Sequence, residues 1–237
     1  MQKNLFINAL ILAFIILSCS PSSEELLDQG ILAMDAQDYQ SAEANFEKLL
    51  EKSPNNYTAL NALGVAKYRL GKSEESLTFF TRAINADTTN YKAFLNRGIA
   101  LVALERDNEA MLDFDYAIDL NSEIVDLYLN RGAVLFKYGE MDRALFDFEY
   151  ALNISPNSPV VLLNKGKAEL QISNPDDAVF SFKKALEYDP ELTEAYYWLG
   201  LAEIARDNKV EGCNYLFSAQ SMNFEGVDEL ISKNCMQ

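Results

Sequence analysis

Residues 60–64 read Leu-Asn-Ala-Leu-Gly, and the glycine that ends this stretch belongs to a series that determines the fold. The series returns every 34 residues, at Gly30, Gly64, Gly98, Gly132, Gly166 and Gly200. No insertion or deletion interrupts the interval from the first glycine to the last. A fixed period of this length is typical of repeat proteins, in which each unit packs only against its neighbours.

Larger and smaller side chains keep the same interval. Phenylalanine recurs at Phe46, Phe80, Phe114, Phe148 and Phe182, and Leu216 continues that series. Small residues recur at Ala42, Ser76, Ala110, Ala144, Ala178 and Gly212, and again at Ala83, Ala117, Ala151, Ala185 and Ala219. A glycine inside a helix costs about 1 kcal/mol relative to alanine, so its recurrence indicates a neighbouring helix too close for a side chain. We expect each phenylalanine to fill the space that the small residues leave.

Each unit predicts two helices joined by a turn. The first helix carries an apolar stripe and the glycine, and the second carries the small residues and the phenylalanine. Turn and capping residues fall between helices, as at Ser158-Pro159. This pattern resembles the tetratricopeptide-repeat (TPR) family, whose helical pairs have this period and this spacing of Gly, Ala and Phe. The resemblance covers residues 23–226 and implies an all-α fold, a right-handed α-solenoid of helix-turn-helix units.

The register divides the chain into six units and a C-terminal segment. The units span 23–56, 57–90, 91–124, 125–158, 159–192 and 193–226. Residues 227–237 follow, and we expect a capping helix there because a solenoid needs a cover for its last apolar face. The chain departs from the family where a tyrosine is usual, three residues after each glycine, which softens local packing. These positions hold Ala33, Lys67, Leu101, Leu135, Glu169 and Glu203.

The N-terminus has the pattern of an export signal. An apolar run over residues 5–17, broken only by Asn8, is shorter than the about 20 residues that a membrane-spanning helix needs. Ile16-Leu17-Ser18-Cys19 resembles the bacterial lipobox, which implies a signal peptide over 1–18, lipid on Cys19 and an acylated tether over 19–22. The alternative is an ordinary signal peptide with an incidental cysteine. Because several acyl chains make a stable anchor, we expect a lipid-anchored protein of the cell envelope, at the outer membrane in a Gram-negative cell.

The composition argues against several classes of function. Acids outnumber bases 36 to 20 and the formal net charge is -16, so the surface repels phosphate backbones and we expect no nucleic-acid partner. The chain has no histidine, the commonest general base and metal ligand. Its three cysteines form no CxxC pair of the kind that binds zinc. We therefore expect no enzyme activity, metal, cofactor or small-molecule substrate.

Opposite charges recur between the two helices of the third and fourth units. Arg97 and Arg131 stand beside the glycines, and Asp113 and Asp147 lie sixteen residues later on the second helices. In the other units these two positions match in polarity, which indicates contact within each hairpin. We predict partly buried ion pairs, Arg97–Asp113 and Arg131–Asp147; the alternative is that the arginines bind a partner's carboxylate.

Two cysteines lie near the C-terminus. Cys213 falls on the last second helix, and Cys235 follows the expected capping helix. A helical hairpin brings such positions together, and an exported protein reaches a compartment that permits disulfides. We predict a Cys213–Cys235 disulfide that fixes the cap, with two separate buried thiols as the alternative.

The family resemblance also implies a binding surface, because the first helices of TPR proteins line a concave groove. The corresponding positions form one column of Asn96, Asn130, Asn164 and Trp198, and a second of Leu95, Leu129, Leu163 and Tyr197. The asparagine amides can hydrogen-bond an extended peptide backbone or bridge neighbouring repeats, and the sequence leaves both open. The single tryptophan is a side chain that often anchors interfaces. The bases in this register form no continuous set, so we do not expect recognition of a C-terminal carboxylate.

These features predict a non-catalytic scaffold that binds a protein or peptide in the groove and contacts the membrane through its lipid. Two alternatives share this architecture: an adaptor for peptidoglycan enzymes, and an assembly lipoprotein similar to the pilotins in size and layout. A glycan-binding lipoprotein is a third alternative, which exposed aromatic and acidic side chains would favour.

Overall fold

The computed structural model describes residues 21–236, which form thirteen α-helices and no β-strand. The helices are α1 (Ser23–Asp35), α2 (Tyr39–Lys52), α3 (Tyr57–Arg69), α4 (Ser73–Ala86), α5 (Tyr91–Ala103), α6 (Asp107–Leu120), α7 (Val125–Lys137), α8 (Met141–Ile154), α9 (Pro159–Gln171), α10 (Pro175–Tyr188), α11 (Thr193–Ala205), α12 (Lys209–Ser221) and α13 (Val227–Asn234). The predicted signal peptide and the predicted lipid attachment site, Cys19, lie outside the described residues.

Helices α1–α12 form six hairpins stacked in chain order. Each helix packs against the next along the chain, within a hairpin and between hairpins. The first helices of adjacent hairpins also contact one another, from α1 against α3 to α9 against α11. The molecule is therefore an α-solenoid, and its first helices form a continuous inner face.

The core follows the repeated residues. The five phenylalanines of the series are at most 1% exposed, and Leu216 in the sixth hairpin is fully buried. Each lies against the glycine of its own hairpin, at a position that a β-carbon would occupy. The small residues on the second helices are buried as well. One packing arrangement thus recurs through all six units.

The turn inside each hairpin uses a left-handed backbone at one register position. The residues are Gln37, Gly71, Glu105, Gly139, Ser173 and Asp207, with φ between 57° and 77°. Glycine adopts this region without steric cost, and four other residue types occupy it here. Because the left-handed residue stands at the equivalent position in every unit, the hairpin geometry sets this turn more than the local sequence does.

Two ends complete the solenoid. At the N-terminal end, Ser22 accepts a hydrogen bond from the Glu25 amide and Glu25 accepts one from the Ser22 amide, a capping box that fixes the start of α1. At the other end, α13 packs on α12 and buries Val227 and Ile231 against Leu216. Within residues 21–236, no helix combines the length and hydrophobicity required to cross a membrane.

Candidate partner-binding surface

The inner face brings the predicted asparagine column together. Asn96, Asn130 and Asn164 occupy equivalent positions on α5, α7 and α9, and all three are half-buried. Because neighbouring first helices touch, these positions follow one another across the stack. The column is a polar strip along the inner side of the third, fourth and fifth units.

The three amides make different hydrogen bonds. Asn96 Nδ2 donates to Asn61 Oδ1 on α3 at 3.0 Å, which links two units. Asn130 Nδ2 and Asn164 Nδ2 instead donate to backbone carbonyls one turn earlier on their own helices, at 2.7 and 2.8 Å. One asparagine thus bridges repeats. The other two keep their Oδ1 atoms available as acceptors, since no residue in the described chain donates to them.

Trp198 continues this column on α11 within a small polar cluster. Its indole nitrogen donates to Glu194 Oε1 at 3.0 Å, and the Lys167 ammonium lies 5.5 Å from the indole centroid. Lys167 also pairs with Glu194. Burial would raise the pKa of Glu194, but hydrogen bonds from Lys167 and Trp198 outweigh burial and lower that pKa. The half-buried indole is therefore held in one orientation.

The second predicted column only partly reaches the inner surface. Leu95 is 9% exposed and Leu163 4%, so the prediction that they line a groove is wrong: both belong to the core. Leu95 packs with core residues of the third and fourth hairpins, and Leu163 with core residues of the fifth and sixth. Leu129 is half-buried, and Tyr197 packs on Phe224 with ring centroids 4.8 Å apart, toward the C-terminal cap. Half-buried apolar side chains instead recur six residues after the asparagine register, at Tyr68, Val102, Phe136, Leu170 and Ile204.

The structure joins both predicted arginine–aspartate pairs on the side of the second helices. Arg97 Nη2 lies 2.7 Å from Asp113 Oδ1, and Arg131 Nη2 lies 2.7 Å from Asp147 Oδ1; both contacts are doubled through Nε. Arg131 also reaches Asp115 in the preceding unit at 2.7 Å. Hydrogen bonds with Asp147 raise the pKa of Arg131. These pairs hold helices together and lie away from the inner face.

The predicted cysteine pair forms a disulfide. Cys213 on α12 is bonded to Cys235, just past α13, with 5.7 Å between their α-carbons. The bond encloses α13 in a covalent loop. Among residues 21–236, no group of three or more Cys, Asp or Glu side chains is placed to hold a metal ion.

The comparisons with known proteins agree with this geometry. A family model described as "Tetratricopeptide repeat" matches residues 27–92 and 163–212. These two segments are tetratricopeptide repeats. No curated protein matches it significantly by sequence. TPR-family proteins are generally non-catalytic scaffolds for protein–protein interaction.

Solved structures of other TPR proteins have the same fold. A MamA protein is 27% identical, with a TM-score of 0.62 over 71% of this chain and 92% of its own. Pseudomonas aeruginosa PilF is 17% identical, with a TM-score of 0.79 over 89% and 97%. YrrB, described as having an unusual peptide-binding site, is 22% identical, with a TM-score of 0.64 over 79% and 97%. The last two likenesses concern the fold alone.

Charged residues fill positions where the TPR pattern usually has a tyrosine. Lys67 is 5% exposed, and its ammonium lies 2.5 Å from Glu43 Oε1 on α2 and 3.0 Å from Glu75 on α4. Glu169 accepts a hydrogen bond from Ser181 at 2.6 Å, and Glu203 pairs with Lys183 at 3.0 Å. Burial lowers the pKa of Lys67, but hydrogen bonds to Glu43 and Glu75 raise it above its usual range. These buried charges join helices and units, a role that the sequence pattern alone did not reveal.

Proposed function

We propose that this TPR protein is a non-catalytic scaffold of the bacterial cell envelope that binds an extended segment of a protein in its inner face. The polar column of Asn130, Asn164 and Trp198 carries the proposal. Consecutive units that present an asparagine amide at the same register suit a ligand that itself repeats, and the peptide backbone is such a ligand.

The contacts of the column define the ligand chemistry. The free Oδ1 atoms of Asn130 and Asn164 accept hydrogen bonds from backbone N–H groups of the bound segment. The half-buried apolar side chains beside them, such as Phe136 and Leu170, take its apolar side chains. Lys167 is already paired with Glu194, so it offers little to a terminal carboxylate. The preferred ligand is therefore an internal, extended segment.

We place the scaffold at the membrane through acylation of Cys19. The capping box at Ser22 starts α1 three residues after this cysteine, a tether of roughly 10 Å. The repeats would then lie close to the bilayer, at the outer membrane in a Gram-negative cell, and recruit a partner there. Adaptors for peptidoglycan enzymes and pilotin-like assembly lipoproteins remain the alternatives within this architecture.

The groove is tested by crosslinking and affinity capture from native membranes. The test variant combines Asn130→Ala with Trp198→Ala, and the matched control combines Asn214→Ala with Phe217→Ala on the outer face of α12. We expect the test variant to lose at least one partner that wild type and control both retain. Recovery of the same partners by all three proteins would refute the proposal that the inner face binds a partner.

A second measurement reports on the site directly. Trp198 is the only tryptophan, so its emission follows occupancy of the column without a label. A synthetic peptide from any captured partner should change that emission in a saturable way. Asn130→Ala should weaken the titration by about tenfold, the effect of losing one buried hydrogen bond to the ligand.

The anchor is tested separately with Cys19→Ala in the full-length chain. We expect this variant to leave the membrane fraction and to incorporate no radiolabelled palmitate, whereas Cys213→Ser keeps both properties. Membrane association that persists unchanged in Cys19→Ala would refute the lipid anchor and leave the binding proposal standing.

A further inference from the structure

The outer side of the solenoid carries exposed apolar and aromatic side chains in three consecutive units. They project from α6, α8 and α10, and we call them the outer patch. Its members are Leu112, Tyr116, Leu120, Phe146, Phe180 and Tyr188, each between 40% and 64% exposed. Within α6 they stand four residues apart, so they form one stripe along the helix. On the next two second helices, Phe146 and Phe180 repeat the register of Leu112, and Tyr188 repeats that of Leu120.

The outer patch has polar borders. At the positions equivalent to Leu112 and Tyr116, α4 carries Thr78 and Arg82, and α12 carries Asn214 and Ser218. At these two register positions, large apolar side chains are therefore confined to the third, fourth and fifth hairpins. A contiguous exposed apolar area with a polar rim is typical of a protein interaction site, whereas scattered exposed apolar residues are ordinary.

Two clefts lie beside the exposed apolar side chains of the outer patch. A cleft of about 630 Å³ lies between α4 and α6, with α5 as its floor. Leu77, Leu101, Leu112 and Tyr116 line its apolar part, and the rest is lined by Thr78, Thr81, Glu74, Glu109, Asp113, Arg82, Arg97 and Arg106. A second cleft of about 420 Å³ lies beside α8, where Leu135 and Phe146 line it. Both are open to solvent and lined in part by apolar side chains. They can receive the projecting side chains of a helix laid across the second helices.

The rim of the outer patch is negatively charged along α6, α8 and α10, whereas Arg82 on the α4 border donates to the Pro54 carbonyl. The bases on these helices are neutralised within the chain: Arg143 pairs with Glu140, Lys183 with Glu203 and Lys184 with Glu187. The exposed acids Asp119 and Asp142 form no ion pair within the described residues. A second copy of this chain would bring two acidic rims together, and an anionic lipid surface would also be repelled.

We infer that the outer patch docks an amphipathic helix of a partner protein, with an apolar stripe that packs on Leu112, Phe146 and Phe180 and lysines or arginines at its edges. This site is separate from the inner face and extends the proposed function. A scaffold with two docking faces can hold two proteins together, one through an extended segment and one through a helix.

The test uses fluorescein-labelled peptides and fluorescence anisotropy with the purified repeat protein. The probe is an amphipathic helix of about 18 leucines and lysines, and the control probe has glutamate at every lysine position. We expect the lysine probe to bind wild type at least about tenfold more tightly than the glutamate probe at moderate salt. Equal affinities would overturn the charge argument.

Variants then locate the binding. The patch variant combines Leu112→Ser, Phe146→Ser and Phe180→Ser. The control combines Leu32→Ser, Ile172→Ser and Val210→Ser, which are exposed apolar residues outside the patch. Neither set changes the charge of the protein. We expect the patch variant to lose at least about tenfold in affinity for the lysine probe and the control to bind like wild type. Similar losses in both variants would overturn the proposal.

Two further outcomes separate this inference from its rivals. Asn130→Ala with Trp198→Ala should leave probe affinity unchanged, so failure of the inner-face proposal would not affect this result. Sedimentation velocity should show wild type and patch variant with the same mass. A wild-type dimer that the patch variant abolishes would assign the outer patch to a second copy and overturn the inference.

Discussion

Phe114 lies directly on the backbone of Gly98. A β-carbon on residue 98 would stand 2.5 Å from Cε1 of the phenylalanine ring, and Phe114 has no exposed surface. The ring therefore occupies the volume of the missing side chain. The same relationship joins the glycine and the phenylalanine of four other hairpins, and Gly200 with Leu216 in the sixth, which explains why these residues recur at one interval.

Gly98→Ala should destabilise the solenoid. The alanine methyl group would force the Phe114 ring out of a packed position, which costs about 1–3 kcal/mol. The better helix propensity of alanine returns up to about 1 kcal/mol, so we expect a net loss of about 1–2 kcal/mol. Urea denaturation followed by circular dichroism measures it.

The double variant Gly98→Ala, Phe114→Leu isolates the contact. Leucine stands at this register in the sixth hairpin, where Leu216 faces Gly200. We expect Gly98→Ala to cost at least about 0.5 kcal/mol less in the leucine background than in wild type. Strict additivity of the two substitutions would mean that the ring is not the obstacle.

The repeat architecture was predictable because its signal is redundant. A single glycine does not predict a fold. Six glycines at a fixed interval, each followed sixteen residues later by a phenylalanine or leucine, predict one packing arrangement that repeats in every unit. Leu95 and Leu163 were misplaced because adjacent positions of a helix differ by about 100° in direction, and sequence spacing does not say which one faces the neighbouring helix. The buried Lys67 was missed because its partner Glu43 lies on another unit, 24 positions away.

Arg131→Leu should be strongly destabilising. Asp147 is 1% exposed, and loss of the guanidinium would leave its carboxylate buried without a cation. Breaking a buried pair in this way costs about 3–5 kcal/mol. Asp115, the other partner, is half exposed and should add little. Denaturant unfolding and hydrogen exchange in α7 and α8 measure the loss.

The second unit supplies the matched control. Its equivalent positions hold Leu63 and Phe79, so Arg131→Leu combined with Asp147→Phe reproduces a pair that the chain already uses. We expect this double variant to recover most of the stability that the single variant loses. If the double variant is as unstable as Arg131→Leu alone, the cost does not come from the stranded carboxylate.

Reduction of the Cys213–Cys235 disulfide should loosen α13 and leave the other repeats folded. The bond closes a loop with a sequence separation of 22 residues, which is worth about 3 kcal/mol in the chain-entropy account. Hydrogen exchange under reducing conditions, or in the Cys213→Ser, Cys235→Ser variant, should show faster exchange in α13 and the end of α12. Exchange in α3–α8 is the internal control, and equal acceleration there would contradict a local role.

The contact between Glu43 and Lys67 should make stability depend on acidity. Burial would raise the pKa of Glu43, but hydrogen bonds from Lys67 and Lys72 outweigh burial and lower that pKa. A carboxylate with a lowered pKa stabilises the folded state fully above its usual value of about 4.5, and this contribution disappears as pH falls through the lowered value. The stability advantage of wild type over Glu43→Gln should therefore be largest near neutral pH and shrink below about pH 4.5. Denaturant titrations at several pH values test this.

The control is Glu51→Gln, at an exposed position on the same helix without an ion pair in the described chain. The difference in stability between wild type and this variant should not change with pH. A pH-independent difference in stability between wild type and Glu43→Gln would contradict the prediction.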